Sequence, residues 1–204
     1  GQRFDRKTFY SQFVKQLHLR DDSLIEGKPS LDFPRQFTVL GSVVADLTGD
    51  GKPEAAFVRN GVLWIYSGTE RMYETPKEMG GSLAYITYEV DPQMKDFQLN
   101  NAFLELPPVA ADLDGDGRLE LLAVASDRPF VVAPGLGLRA SKMQLNVIDF
   151  REGRFVKGTF GEMLDLAIQG IEVTDAEVLF VGSEPGTLLK KGNSHLLAYS
   201  LASP

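Results

Sequence analysis

The residues with the clearest chemical potential in this chain are acids that recur at fixed spacing in two short segments. Residues 112–120 have the sequence DLDGDGRLE, with aspartate at the first, third and fifth positions, glycine at the sixth and glutamate at the ninth. Carboxylates spaced in this way converge on the inside of a tight turn, where a hard cation such as calcium collects about six to eight oxygen ligands. The glycine permits the backbone angle that turns the next carbonyl inward. This segment, the second loop, is therefore predicted to bind calcium.

The same spacing occurs earlier, in residues 46–54 (DLTGDGKPE), which form the first loop. Threonine stands at its third position, so this loop offers one carboxylate fewer and is predicted to bind calcium more weakly. In both loops we expect ligands from the side chains of the first, third, fifth and ninth positions and from the backbone carbonyl of the seventh. The predicted ligands are Asp46, Thr48, Asp50, Lys52 (backbone) and Glu54 in the first loop, and Asp112, Asp114, Asp116, Arg118 (backbone) and Glu120 in the second.

The sequence offers three other interpretations of these loops: an EF-hand loop, a plain hairpin turn and a magnesium site. An EF-hand needs a glutamate at the twelfth position and flanking helices, but Phe57 and Ala123 stand there and strand-like sequence follows. A plain hairpin turn also uses Asp and Gly, although two copies with the same acid spacing and the mutual repulsion of three carboxylates favour a bound cation. Magnesium is less favoured than calcium because it prefers a strict octahedron with retained waters.

The elements around the loops are predicted to be strands. From residue 37 onward, short segments rich in Val, Ile, Tyr and Phe alternate with turn residues, which is typical of an all-β fold. Residues 4–19 differ, because Phe4, Phe9, Phe13 and Leu17 fall roughly on one helical face. We predict an N-terminal amphipathic α-helix there, followed by a connecting loop to residue 36.

The strand pattern repeats along the chain. Residues 43–58 (VVADLTGDGKPEAAFV) align with residues 109–124 (VAADLDGDGRLELLAV), and residues 170–182 resemble a third round with a shortened loop. The pattern of apolar residues, Ala-Asp-Leu, Gly-Asp-Gly and a later Glu resembles the FG-GAP/VCBS repeat. That family forms blades of integrin-α-type β-propellers and of many bacterial surface and secreted proteins.

The resemblance implies an all-β, propeller-like module over residues 37–204, with blades at about 37–95, 104–160 and 163–202. It places the family's metal ligands on the residues given above, except that the family more often has Asp at the ninth position. Propellers close with about four to eight blades, and this chain supplies about three. The chain is therefore a piece of a larger protein, associates with a second copy into a ring, or stacks its blades as an open arc with exposed edges.

Composition narrows the classes of partner. The net charge of −7 disfavours binding to the phosphates of nucleic acids. The absence of cysteine excludes disulfides and thiolate sites. No apolar run approaches the roughly 18 residues of a membrane span. No leader is visible, and the start at Gly1 rather than Met is interpreted as that of a trimmed chain.

Binding rather than catalysis is the predicted activity. The two histidines, His18 and His195, have no partners evident in the sequence for a base or a triad, so no enzyme is expected. The resemblance and the weak sites typical of extracellular modules favour an exported protein of the bacterial envelope, with a protein partner or self-association. The alternative is a carbohydrate-binding or carbohydrate-active propeller, in which Tyr85 and Tyr88 would stack on a sugar.

Overall fold

The computed structural model describes residues 1–76, 78–80, 84–90, 99–126, 132–133, 137–138, 142–184 and 192–201. The secondary structure of these residues consists of β-strands, with no helix among them. The fold is therefore all-β, as predicted. The strands are β1 (Gln2–Asp5), β2 (Phe9–Val14), β3 (Gln16–Arg20), β4 (Ser23–Gly27), β5 (Ser42–Ala45), β6 (Glu54–Arg59), β7 (Val62–Ser67), β8 (Glu70–Glu74), β9 (Tyr85–Glu89), β10 (Leu99–Phe103), β11 (Val109–Ala111), β12 (Glu120–Ser126), β13 (Val132–Ala133), β14 (Gly137–Leu138), β15 (Met143–Arg151), β16 (Arg154–Leu164), β17 (Ala167–Val173), β18 (Glu177–Ser183) and β19 (Ser194–Ser200).

Three antiparallel sheets form the body of the molecule. The first sheet has the order β5-β6-β7-β8, the second sheet β11-β12-β15-β16 and the third sheet β17-β18-β19. The first strand of each sheet, β5, β11 or β17, is here called its leading strand. The leading strands lie next to one another, since β11 contacts both β5 and β17. Short hairpins account for this simple order: Asn60-Gly61 and Glu152-Gly153 both have positive φ, as two-residue turns between antiparallel strands require.

The stacking of the three sheets explains the apolar sequence of β12. Leu121 and Ala123 point into a core cluster shared with the first sheet, whereas Leu122 and Val124 point into a cluster shared with the third sheet. Because successive side chains of a strand face opposite sides, a strand covered on both faces needs apolar residues at every position. The second sheet is thus the middle layer, and its covered strand supplies both halves of the core.

The predicted N-terminal helix is wrong. Residues 4–19 lie in β1, β2 and β3, which form the hairpins β1–β2 and β3–β4. The turns decide this outcome: Asp5 accepts the backbone N–H groups of Lys7 and Thr8, and Asp21 and Asp22 both adopt positive φ between the paired ends of β3 and β4. The Asp5 turn and the two-residue Asp21-Asp22 turn, which matches the twist of antiparallel strands, outweigh a loose helical spacing of apolar residues.

The N-terminal segment covers the outer face of the first sheet. Phe37 packs on Phe57 and Tyr66, and Val14 of β2 contacts the same cluster. The Gln2 side chain fixes this arrangement, since its amide donates to the carbonyl of Phe37 and its oxygen accepts the N–H of Val39. Residues 1–36, which the family resemblance leaves outside the repeats, therefore share a core with the first sheet.

Two further predictions concern the residue ranges of the blades and the absence of a membrane span. Of the residues in the predicted blades, 77, 81–83, 91–95, 127–131, 134–136, 139–141, 185–191 and 202 lie outside the described part of the chain. Within the described part of the chain, no helix has the length and apolar character needed to cross a membrane.

Candidate metal-binding loops

The two acidic loops occupy equivalent places in two neighbouring sheets. The first loop joins β5 to β6, and the second joins β11 to β12. The flanking register is the same in both, with Ala45 opposite Glu54 and Ala111 opposite Glu120. The ninth residue of each loop is therefore also the first residue of a buried strand.

The aspartate at the first position organises each loop. The two carboxylate oxygens of Asp112 accept the N–H groups of Gly115 (2.8 Å) and Gly117 (2.9 Å). Asp46 accepts those of Gly49 and Gly51 in the same way, at 2.8 Å each. Hydrogen bonds to a charged acceptor are stronger than those between neutral groups. One aspartate thus holds the whole turn of each loop.

Positive φ at the fourth and sixth positions is needed for this geometry. Gly115 and Gly117 have φ of 79° and 85°, and Gly49 and Gly51 have φ of 75° and 84°. Only glycine adopts these angles without strain. The sixth glycine was predicted from its position in the loop, and the fourth glycine has the same backbone role.

In the second loop, the structure brings together three of the predicted ligands. Carboxylate oxygens of Asp112, Asp114 and Asp116 lie within 4.8 Å of one another, and all three residues are exposed. A carboxylate offers about four lone-pair sites, so oxygens already engaged by backbone N–H groups can still coordinate an ion. Three anionic oxygen donors at one accessible point fit a hard divalent cation.

The first loop presents a smaller anionic set. Among the described residues, Asp46, Asp50 and Glu54 do not form a comparable group of three. The hydroxyl oxygen of Thr48, at the third position, is buried and has no hydrogen-bond partner within the described part of the chain. A buried polar atom without a partner costs free energy, and a cation bound by the loop would supply the missing partner.

The ninth-position glutamates lie deeper than the aspartates. Glu54 and Glu120 are only 1% and 3% exposed, and each accepts the N–H of the second loop residue, Leu47 (2.9 Å) or Leu113 (2.7 Å). Burial raises the pKa of both carboxyls, and the nearby aspartates raise each pKa further. The structure does not place Glu120 within the three-aspartate group. Each glutamate therefore supports its loop from the buried side, through this hydrogen bond to the backbone.

Arginine side chains offset part of the negative charge of the second loop. The Arg118 guanidinium donates to Asp116 (Nη2 to Oδ2, 2.6 Å) and to the carbonyl of Phe150 (3.2 Å). The Arg118 hydrogen bonds lower the pKa of Asp116. Arg151 pairs with Asp149, a residue only 7% exposed. From the sequence only the Arg118 carbonyl was expected to take part. The contact of its side chain with the carbonyl of Phe150 joins residues far apart in the chain.

The two loops are neighbours in space. A Cβ placed on Gly49 of the first loop would lie 3.9 Å from Cγ and Cδ of Arg118 in the second. The contact follows from the side-by-side position of β5 and β11.

Other candidate residues are placed differently from the loops. His195 contacts Glu184, with Nε2 and Oε1 3.0 Å apart. The Tyr88 ring packs against Phe4 and Phe9, at centroid distances of 6.1 and 5.1 Å, so that of these two tyrosines Tyr85 is the exposed one.

No family model, curated protein or solved structure matches this chain, so the family resemblance stays a prediction.

Proposed function

We propose that this chain is a calcium-binding, non-catalytic module whose two loops hold neighbouring sheets in register. The observation that supports this most strongly is the group of three aspartate carboxylates in the second loop, within 4.8 Å of one another. Three clustered negative charges repel one another unless a cation offsets them. Calcium suits the site because it accepts oxygen ligands in flexible geometry and high number.

The first loop repeats the design with less charge. Its backbone is held by the same hydrogen bonds, and the unpartnered hydroxyl of Thr48 takes the place of the carboxylate of Asp114. Fewer anionic ligands lower calcium affinity. The first loop is therefore the weaker site.

The role of calcium in this proposal is structural. Each loop starts from the strand that contacts the neighbouring sheet and ends in the buried strand of its own sheet. An ion tied to the loop would fix the path between the two strands and offset the carboxylate repulsion. Binding to the folded state alone stabilises it by mass action.

We also propose a propeller-like arrangement, with each large sheet acting as one blade. Its support is the side-by-side position of the leading strands β5, β11 and β17 and the face-to-face packing of the three sheets. In this arrangement residues 174–176, between β17 and β18, correspond to the acidic loops. There the hydroxyl of Thr174 accepts the N–H of Glu177 instead.

Isothermal titration of calcium into the metal-free chain tests the two sites. We expect saturable binding with dissociation constants of about 0.1–1 mM, the range of extracellular modules, and a tighter second loop. Asp46→Ala is expected to remove the weaker phase and Asp112→Ala the tighter one. Magnesium serves as the matched control ion and is expected to bind more weakly. A tighter phase that disappears in Asp46→Ala but survives in Asp112→Ala would contradict the assignment.

As the partner we propose a second copy of the chain. It would bind the face of the third sheet that no other described element covers. Val181 and Leu196 lie directly opposite each other on this face and are 44% and 72% exposed. The equivalent face of each of the other two sheets is covered by the next sheet in the stack. A second copy presenting the same face would cover the apolar pair in an isologous contact.

Light scattering checks this contact. We expect a species of about twice the chain mass of 22.5 kDa at high concentration, because paired faces remove apolar surface from water. Leu196→Glu should give a monomer, whereas Leu24→Glu, also exposed but on β4, should leave the larger species intact. A wild-type chain that stays monomeric at every concentration would exclude the contact.

The remaining parts of the proposal concern location and ligand. Millimolar calcium outside the cytoplasm would fill weak sites, which favours an extracytoplasmic protein. A glycan ligand is the second candidate, supported by the exposed ring of Tyr85. The packing of Tyr88 against Phe4 and Phe9 leaves it unsuited to stack on a sugar, so we favour the protein contact.

A further inference from the structure

A cavity separate from the metal loops lies where the N-terminal hairpin meets two other hairpins. It has a volume of about 100 Å³ and is bounded by residues of β2, of the β6–β7 turn, of β9 and β10, and of the segment after β10. The polar residues of its lining include Glu105, Tyr10 and Asn101. None of these residues took part in the sequence-based predictions of a site.

The Glu105 side chain is built into this position. A Cβ on Gly80 would lie 2.6 Å from Oε2 of Glu105, and a Cβ on Gly41 would lie 2.8 Å from its Cβ, so two glycines make room for it. The backbone N–H of Asn60 donates to its carboxyl. Burial raises the pKa of Glu105 to about 7, and the Asn60 hydrogen bond only partly opposes this. Ionising a carboxyl in this environment costs free energy, and groups with such shifted pKa values are concentrated at functional sites.

The Tyr10 hydroxyl adds a second polar group in need of a partner. It is buried, and no hydrogen bond to it is formed within the described residues. Burial raises the pKa of Tyr10, the charge of Glu105 raises it further, and Arg59 lowers it by a smaller effect. Near this hydroxyl, the negative charge of Glu105 therefore outweighs the positive charge of Arg59.

Arg59 is already engaged and does not neutralise Glu105. Its guanidinium donates to the carbonyl of Gln36 at 3.0 Å. Burial and the Asn60 hydrogen bond are the influences on the pKa of Glu105, with no contribution from a cationic side chain of the described residues. Glu105 and Arg59 are the charged residues among the described lining of the cavity. The carboxylate thus lacks a counter-charge that an entering cation could provide.

Aromatic rings form much of the remaining wall. Phe9, Tyr88 and Phe103 line the cavity, and the Phe9 and Tyr88 ring centroids are 5.1 Å apart. Phe9 has φ of 65°, a left-handed conformation that is costly for a bulky residue and is often found at functional sites. Aromatic faces attract ammonium groups through their π-electrons.

We propose that this cavity binds an alkylammonium group of about four heavy atoms. The group would be a free small amine or the end of a lysine side chain from another protein. The size follows from comparison with a cavity of about 150 Å³ that accommodates benzene. The ammonium donates to the Glu105 carboxylate and the Tyr10 oxygen, and its alkyl carbons contact the aromatic wall.

Ligand-observed and protein-observed NMR titrations test the proposal, with propylammonium as probe and propanol as its uncharged control. We expect saturable shifts at Tyr10, Asn60 and Glu105 with propylammonium at pH 8, and at least tenfold weaker binding of propanol. An acetylated, amidated Gly-Lys-Gly peptide and its norleucine analogue distinguish the two sources. Tighter binding of the lysine peptide than of propylammonium would indicate a protein lysine, and the reverse order a free amine.

Variants and pH define the role of each group. Glu105→Gln is expected to weaken propylammonium binding at least tenfold, whereas Glu70→Gln, an exposed acid on β8, should not change it. Tyr10→Phe is expected to weaken binding about fivefold, as for loss of one hydrogen bond. Because only ionised Glu105 attracts the cation, affinity should fall about 100-fold from pH 8 to pH 5.

Equal binding of propylammonium and propanol would overturn the proposal, as would unchanged affinity in Glu105→Gln. Absence of any shift at Tyr10, Asn60 or Glu105 at 50-fold molar excess of both propylammonium and the lysine peptide would overturn it too. These outcomes do not depend on calcium, so the cavity and the metal loops stand or fall separately.

Discussion

Replacing Asp112 with alanine is expected to abolish calcium stabilisation at the second loop and to weaken the fold even without metal. Its two oxygens hold the N–H groups of Gly115 and Gly117, so truncation loses both hydrogen bonds at once. Since the loop is exposed and water can replace part of these bonds, we expect a loss of about 1–3 kcal/mol in the free energy of unfolding. Losing the ion removes about 2.7 kcal/mol more at a calcium concentration 100 times the dissociation constant.

Urea unfolding with calcium and with EDTA separates these two losses. Asp165→Asn is the matched control, because Asp165 is exposed and, among the described residues, forms its ion pair with Lys142 at 3.4 Å. Such a surface pair contributes about 0–1 kcal/mol, and its calcium response should equal that of the wild type. An Asp112→Ala chain that retained the full calcium-dependent increase would show that the ion, if it binds, lies elsewhere.

The second large effect is expected at Glu105, where glutamine should stabilise the fold at pH 8 but not at pH 5. The folded pKa of about 7 lies above the ordinary value of 4.5. The stability gained by protonating this carboxyl is therefore fully present below pH 4.5 and is lost as the pH rises through 7. The difference corresponds to a penalty of about 3 kcal/mol for the ionised form.

Urea unfolding of Glu105→Gln and wild type between pH 5 and pH 8 measures this penalty in the absence of any amine. Burial also raises the pKa of Glu54 and Glu120, but both residues are present in each chain, so the difference between the chains isolates Glu105. We expect the two stability curves to meet near pH 5 and to separate by up to about 3 kcal/mol at pH 8. Parallel curves would mean that the carboxyl is solvated in the folded chain.

The features that could be predicted from the sequence are those that depend on the spacing of residues close together in the chain. The path of each acidic loop depends on one aspartate and two glycines within six residues, so their order in the chain was sufficient to place them. Strand β12 was also predictable, because a strand buried on both faces needs apolar residues throughout. The Glu152-Gly153 turn between β15 and β16 was likewise visible as a local signal.

The missed features depend on contacts between distant parts of the chain. Phe4, Phe9 and Phe13 have a helical spacing, but the Asp5 turn and the packing of Val14 against the first sheet favour strands. An Asp21-Asp22 turn between alternating segments was the available signal for the β3–β4 hairpin. Glu105 carries no local signal, since its environment is made by Gly41, Gly80 and Asn60.

The central claim is most directly tested by anomalous X-ray scattering from crystals grown in 10 mM calcium chloride. We expect an anomalous peak bonded to carboxylate oxygens of Asp112, Asp114 and Asp116, with oxygen distances of about 2.3–2.6 Å. A weaker peak should lie beside Thr48 and Asp46. Well-ordered loops with no peak at either position, and aspartate side chains directed only to solvent and to Arg118, would contradict calcium as the ion that these loops are built to hold.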